Sequence, residues 1–225
     1  TYGGREEMVD TAGLLDYGSL IYLTLQRSRT ASEAITVMTT LAETYGYSSE
    51  GETFSICDPH EAWIMEMMGR GPGSRGVVWV AVRVPDGMIC AHANQSRIGK
   101  FNQLGLPKGH VRASKDVVRY ARQMGWYSGL DADFSWKDAY ARPDMEGRRF
   151  CDARVWSFFR HHADVSAYEP WAVGRDAEAA DMPLWVRPDK KLTLHDVMMD
   201  MRDHYEGTPL SLADTTSLAG GPWLM

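Results

Sequence analysis

Asn94 is placed either for electrostatic catalysis or in a plain polar turn, and spacing alone does not separate the two. It sits in Ala91-His92-Ala93-Asn94-Gln95, where polar residues are expected to close a hairpin strand. A carboxamide there offers two N–H donors to a developing oxyanion and needs no proton transfer. Thr1 suits a second chemistry, since a free N-terminal threonine can act as nucleophile with its own amine as base. The three cysteines, Cys57, Cys90 and Cys151, are an odd number at wide spacings with no CxxC, which argues against a disulfide framework or a zinc ribbon. Cys57 and Cys90 lie in apolar runs and are expected to be buried and inert.

Other groups favour blander roles. His161 and His162 are adjacent, so on a helix they face different ways, and a solvated helix end is expected rather than a metal pair. His195, Asp196 and His204 span too far for HExxH logic and read as the polar face of a helix. Asp131, Asp133 and Asp138 lack the glycine and closing glutamate of a calcium loop. The methionines, 13 in all, cluster at 65–68 and 198–201, and core packing is expected of both clusters.

The elements that must position these residues follow from periodicity. Residues 16–28 carry a helical stripe, and Thr30-x-x-Glu33 opens a second helix that Gly46 ends. The period then shortens. Residues 53–57 and 61–67 read as strands around an Asp58-Pro59-His60 turn, and 77–84 and 88–93 as a second hairpin around Pro85-Asp86-Gly87. The glycine-rich stretch at 69–76 lacks phosphate-loop spacing. Helices are expected at 114–124, capped by Ser114 and stopped by Gly125, at 135–140, at 148–161 and at 194–205 after Thr193. The stretch 163–190 reads as a long surface connection. Two helices followed by consecutive strands define an α+β pattern with an antiparallel sheet.

Composition bounds the function. The chain has 225 residues, 44% of them hydrophobic and 24% charged, with a net charge of −6. A basic nucleic-acid footprint is missing, and so is any apolar run long enough for a transmembrane helix. No nucleic-acid or membrane partner is expected. The acidic balance and sparse cysteines fit the cytoplasm. Thr1 and the Gly221-Pro222-Trp223-Leu224-Met225 end read as cuts within a longer polypeptide.

A longer pattern becomes visible at residues 50–98. EGETFSICDPHEAWIMEMMGRG followed by GVVWVAVRVPDGMICAHANQSRI resembles the PepD-like cysteine dipeptidases of the N-terminal-nucleophile (Ntn) hydrolase superfamily, to which the secernins are related. TYGGREEMVDTAGLLDYGSLIYLTLQRSRTASEAI and RRFCDARVWSFFRH resemble the same family. The resemblance implies an αββα sandwich of antiparallel sheets between helical layers, incomplete in this chain, with 1–225 as part of one domain. It implies dipeptide substrates, no metal or other cofactor, and compatibility with homo-oligomers. The family's nucleophile is an N-terminal cysteine, matched by none of Cys57, Cys90 and Cys151, and the family pattern places it upstream of Thr1. Asn94 resembles the oxyanion asparagine of wider Ntn relatives. Thr1 falls near another asparagine of their sites, and Arg149 and Arg154 both compete for a site arginine. The alternative is a secernin-like or degenerate member that keeps the fold for binding or assembly.

Overall fold

The first helix starts where a short polar side chain can take an orphan amide. In the computed structural model, which describes residues 2–141, 147–176, 178–214 and 216, Asp16 accepts the Ser19 amide at 2.6 Å and opens α1 (Tyr17–Arg27). Thr30 accepts the Glu33 amide at 3.1 Å and opens α2 (Ala31–Tyr45). Glu33 reaches back one residue beyond the expected capping box, to the Arg29 amide at 2.7 Å. Gly46 ends α2 with φ of 80°, a conformation that favours glycine. The Ala31 amide at the head of α2 bonds Asp58, which also accepts the His60 and Glu61 amides. One carboxylate thus forms the expected turn and ties it to a helix, and these amides hold its pKa below the usual range.

Three strands form an antiparallel meander: β1 (Glu52–Cys57), β2 (Ala62–Gly69) and β3 (Val77–Arg83). The second expected hairpin does not form. β4 (Ile89–Cys90) leaves β3 and pairs with β6 (Trp185–Val186), while β5 (Val111–Ala113) takes the free edge of β3. The edge is already satisfied: His110 accepts the Arg83 amide, and Ser114 exchanges bonds with Trp79. That duty explains why Ser114 does not cap the next helix. α3 (Val117–Gln123) instead follows Asp116, and Gly125 lies just beyond it at φ of 75°. The short α4 (Trp136–Tyr140) falls where a helical turn is expected.

Both faces of β2 are buried, which a half-solvated meander would not require. Trp63, Met65 and Met67 pack with Phe54, Ala81 and the inner faces of α1 and α2, namely Leu20, Ile35, Met38 and Ala42. Ile64, Glu66 and Met68 point to the opposite face and are equally enclosed. Gly4 lies there, where an added Cβ would fall 2.4 Å from the Met68 side chain and 3.2 Å from the Tyr140 carbonyl oxygen.

The chain gathers into two compact units, one drawn from residues 1–86 and 94–143 and the other from 87–93 and 144–225. The second is built on a five-residue π-helical turn (Arg148–Asp152) that runs into α5 (Ala153–Arg160). Its core joins Trp156 and Phe159 to Val165, Trp171, Val173, Met182 and Leu210. The stretch 163–190 is therefore not a surface connection. It holds α6 (Glu169–Ala172) and β6, and its apolar residues fill this core. Ile89, Ala91 and Ala93 pack against the same cluster, which accounts for the departure of β4 from β3.

Three burial expectations are corrected. Cys57 is exposed and Cys90 partly so, because outward positions alternate along β1 and β4 is only two residues long. Of the His161-His162 pair only His161 is the expected solvated helix end. His162 is buried, its Nε2 2.9 Å from Asp200, and His161 Nδ1 lies 3.2 Å from the same carboxylate. α7 (Leu194–Asp200) has the expected Thr193 cap, with Asp196 completing a capping box, but it ends before residue 205. His204 therefore lies beyond the helix. Met198, Met199 and Met201 stand exposed, whereas Met65, Met67 and Met68 are enclosed. Truncation should separate the two groups. Met67→Ala is expected to cost ~2–5 kcal/mol of unfolding free energy in denaturant titration, and Met199→Ala within about 0.5 kcal/mol of zero.

Candidate functional site

The centre of the first unit is a carboxylate in a place built for apolar side chains. Glu66 is the fifth residue of β2, opposite Thr53 on β1 and Val80 on β3, and it is fully buried. Three donors meet it, all from one irregular segment. Ser96 Oγ donates to Oε2, while the Arg97 and Ile98 amides donate to Oε1 at 2.6 and 3.0 Å. Ser96, Arg97 and Ile98 are themselves buried. The segment is tied to α4, since the Trp136 and Lys137 amides bond the Gly99 and Ile98 carbonyls at 3.1 and 3.0 Å.

Burial dominates the ionisation of Glu66. Desolvation raises its pKa, the three donors and the Arg97 charge oppose this, and the balance leaves it pushed up to about 7. Tyr2 is enclosed in the same region. Burial foremost, then the Glu66 charge, holds its phenol well above the ordinary tyrosine range.

Asn94 stands two residues before Ser96, the first of these donors. It is exposed and left-handed, with φ of 43°, a conformation asparagine tolerates better than most residues. It does not close a strand as expected. β4 ends at Cys90, and Asn94 lies four residues on, where the chain enters the Glu66-bound segment. The other candidates belong elsewhere. Arg149 lies partly buried within the π-helical turn, a geometry frequent at functional sites. Arg154 is exposed on α5, and its Nε donates to the Phe150 carbonyl at 2.7 Å. Thr1 lies outside the described residues.

Glu66 was not among the residues expected at a site. The available signal was a lone acid inside Trp63-Ile64-Met65-Glu66-Met67-Met68, which strand alternation reads as one solvated position. Among the described residues no cluster of three or more His, Cys, Asp or Glu is arranged to hold a metal ion. The pairing of His161 and His162 with Asp200 joins one to which Ser157 and Arg160 contribute through Asp203. Among the described residues no helix is long and apolar enough to cross a membrane.

The comparisons with known proteins agree in kind. The chain is 27% identical over 217 residues to a dipeptidase of Bifidobacterium longum, which covers 92% of this chain and 38% of that protein. It is 25% identical over 164 residues to a probable dipeptidase of Salmonella dublin, covering 72% and 34%. It is 27% identical over 205 residues to probable dipeptidase A of Streptococcus pyogenes serotype M3, covering 85% and 40%. The chain thus spans two-fifths or less of the length of these relatives. The model of peptidase family C69 matches residues 2–220, and the chain belongs to that family.

The buried acid makes a measurable demand on stability. Its folded pKa is raised from 4.5 to about 7, so between those values the folded state holds more protons than the unfolded chain. The contribution of protonated Glu66 is fully present below about pH 4.5 and is lost as pH rises through about 7, to a total of roughly 3 kcal/mol. Unfolding titrations of parent and Glu66→Gln across this window should show the glutamine variant gaining on the parent as pH rises.

Proposed function

We propose that the protein of which this chain forms part hydrolyses dipeptides by acyl transfer to a cysteine thiolate. Membership of peptidase family C69 across residues 2–220 is the observation that carries this reading. The printed names of the relatives support the substrate class. The resemblance to N-terminal-nucleophile hydrolases supports a nucleophile upstream of residue 1, whose own amine serves as general base.

In this reading the thiolate attacks the scissile carbonyl and a C–S bond forms. The C–N bond then breaks, and the leaving amine takes the proton held by the N-terminal amine. Water, activated by that amine, releases the acid. The tetrahedral intermediates carry an oxyanion, and Asn94 is its proposed donor. Arg149 or Arg154 is proposed to pair with the substrate carboxylate, the geometry a guanidinium matches with two parallel bonds. The antiparallel sheet of the first unit, with helices on one face and a second buried face, supports an αββα arrangement.

The direct test is hydrolysis by the complete gene product. It should release free amino acids from a panel of dipeptides, and iodoacetamide should abolish this. A folded protein that cleaves none of them, or whose cleavage survives complete thiol alkylation, would contradict the reading. Asn94→Gly preserves the left-handed turn while removing the donor. It should lower kcat by ~10²–10³ with little change in melting temperature.

A further inference from the structure

The strain at Asn94 and the bonds to Glu66 belong to one device. A non-glycine residue in the left-handed region persists only where its surroundings fix it, and such residues cluster at functional sites. Asn94 itself is exposed. The chain behind it is fixed throughout. Gln95, Ser96, Arg97 and Ile98 are all buried, and three consecutive residues of this run donate to the single carboxylate of Glu66. We infer that Glu66 is a positioning residue: from the interior of the sheet it sets the register of residues 96–98 and so the direction in which Asn94 presents its carboxamide. The inference rests on the dipeptidase reading and adds to it how the proposed oxyanion donor is held.

Two features separate this role from ordinary core packing. First, the acceptors and donors are matched atom for atom. Oε1 takes two successive backbone amides and Oε2 a hydroxyl, so rotation or loss of the carboxyl group frees three donors of the loop at once. An apolar residue of the same volume fills the space and holds nothing. Second, the group is ionisable. Hydrogen bonds to a carboxylate are shorter and roughly twice as strong as those to a neutral acceptor. A glutamine, or the protonated acid, keeps the two amide bonds at its carbonyl oxygen in weaker form, while its N–H or O–H donates to a Ser96 hydroxyl that turns to accept. The titratable and charged groups facing Glu66 are Tyr2, whose phenol stays protonated, and Arg97, whose charge favours the ionised acid. Neither supplies an opposite switch near neutral pH.

The experiment compares the complete parent protein with Glu66→Gln, Glu66→Leu and Ser96→Ala, each assayed for dipeptide hydrolysis well below its melting temperature. Glu66→Leu should lower kcat at least about tenfold with KM changed by less than about threefold, because the loss falls on the transition state. Glu66→Gln should restore most of the rate. The ratio of parent to Glu66→Gln kcat should rise from near one below about pH 6 to at least about three above pH 8. A purely structural glutamate would give a ratio independent of pH. If Glu66→Leu fails to fold, Ser96→Ala and the pH dependence of the ratio carry the test. Ser96→Ala should lower kcat by about threefold to tenfold at unchanged KM, since one of three bonds is lost. A folded Glu66→Leu or Ser96→Ala protein with parental kcat, an effect confined to KM, or a flat ratio overturns the inference while hydrolysis by the parent leaves the dipeptidase reading standing. A parent that does not hydrolyse dipeptides removes both.

Discussion

An ionisable group with no solvent must be answered by its neighbours, and Glu66 sets that condition for the first unit. A buried carboxylate costs several kcal/mol unless donors surround it. Here the donors come from a segment with no regular structure of its own, so satisfying the acid orders a loop. Ser96, Arg97 and Ile98 fold against the sheet because that is where an acceptor waits. Gly99 and Ile98 then accept amides from α4 and carry the order outward. The second face of the sheet is thereby closed by polar bonds at its centre and by apolar contacts around it.

The cost of this arrangement is visible in the ionisation of Glu66, which burial holds far above the ordinary glutamate range. A leucine would pack the same space more cheaply. In some proteins such a group specifies a geometry that packing alone does not. The chain belongs to family C69, and under the proposed reading the left-handed Asn94, two residues before Ser96, is the group to be positioned. The second unit shows a parallel construction: Asp152 accepts the Trp171 indole N–H at 2.8 Å, and Arg148 lies 4.5 Å from the centroid of the same ring.

Local rules read much of this fold from sequence and failed where distant segments compete. Asp16, Thr30, Gly46, Asp58 and Thr193 act as their chemistry predicts, because caps and turns are settled within four residues. Strand partners are not. Nothing near Ile89 and Cys90 announces that Val111–Ala113 will occupy the β3 edge, or that Trp185 and Val186 will receive β4. Burial of polar residues escaped for the same reason. Glu66 and His162 look solvated in a local window, and only the packing of remote chain encloses them. The Met198–Met201 group misled in the opposite sense, since methionine content alone does not show which helix is covered. Polar residues and the family resemblance single out Asn94 in the sequence, whereas nothing local singles out Glu66, 28 residues earlier.

Amide hydrogen exchange tests the organising role of Glu66 most directly. In the parent, the Arg97 and Ile98 amides should be protected as bonded, buried groups. In Glu66→Leu both should exchange at least about tenfold faster, while the Met65 and Met67 amides within the sheet keep their protection and show that the unit remains folded. Equal protection of Arg97 and Ile98 in the two proteins would show that the segment is held by something other than the carboxylate, and would contradict the account.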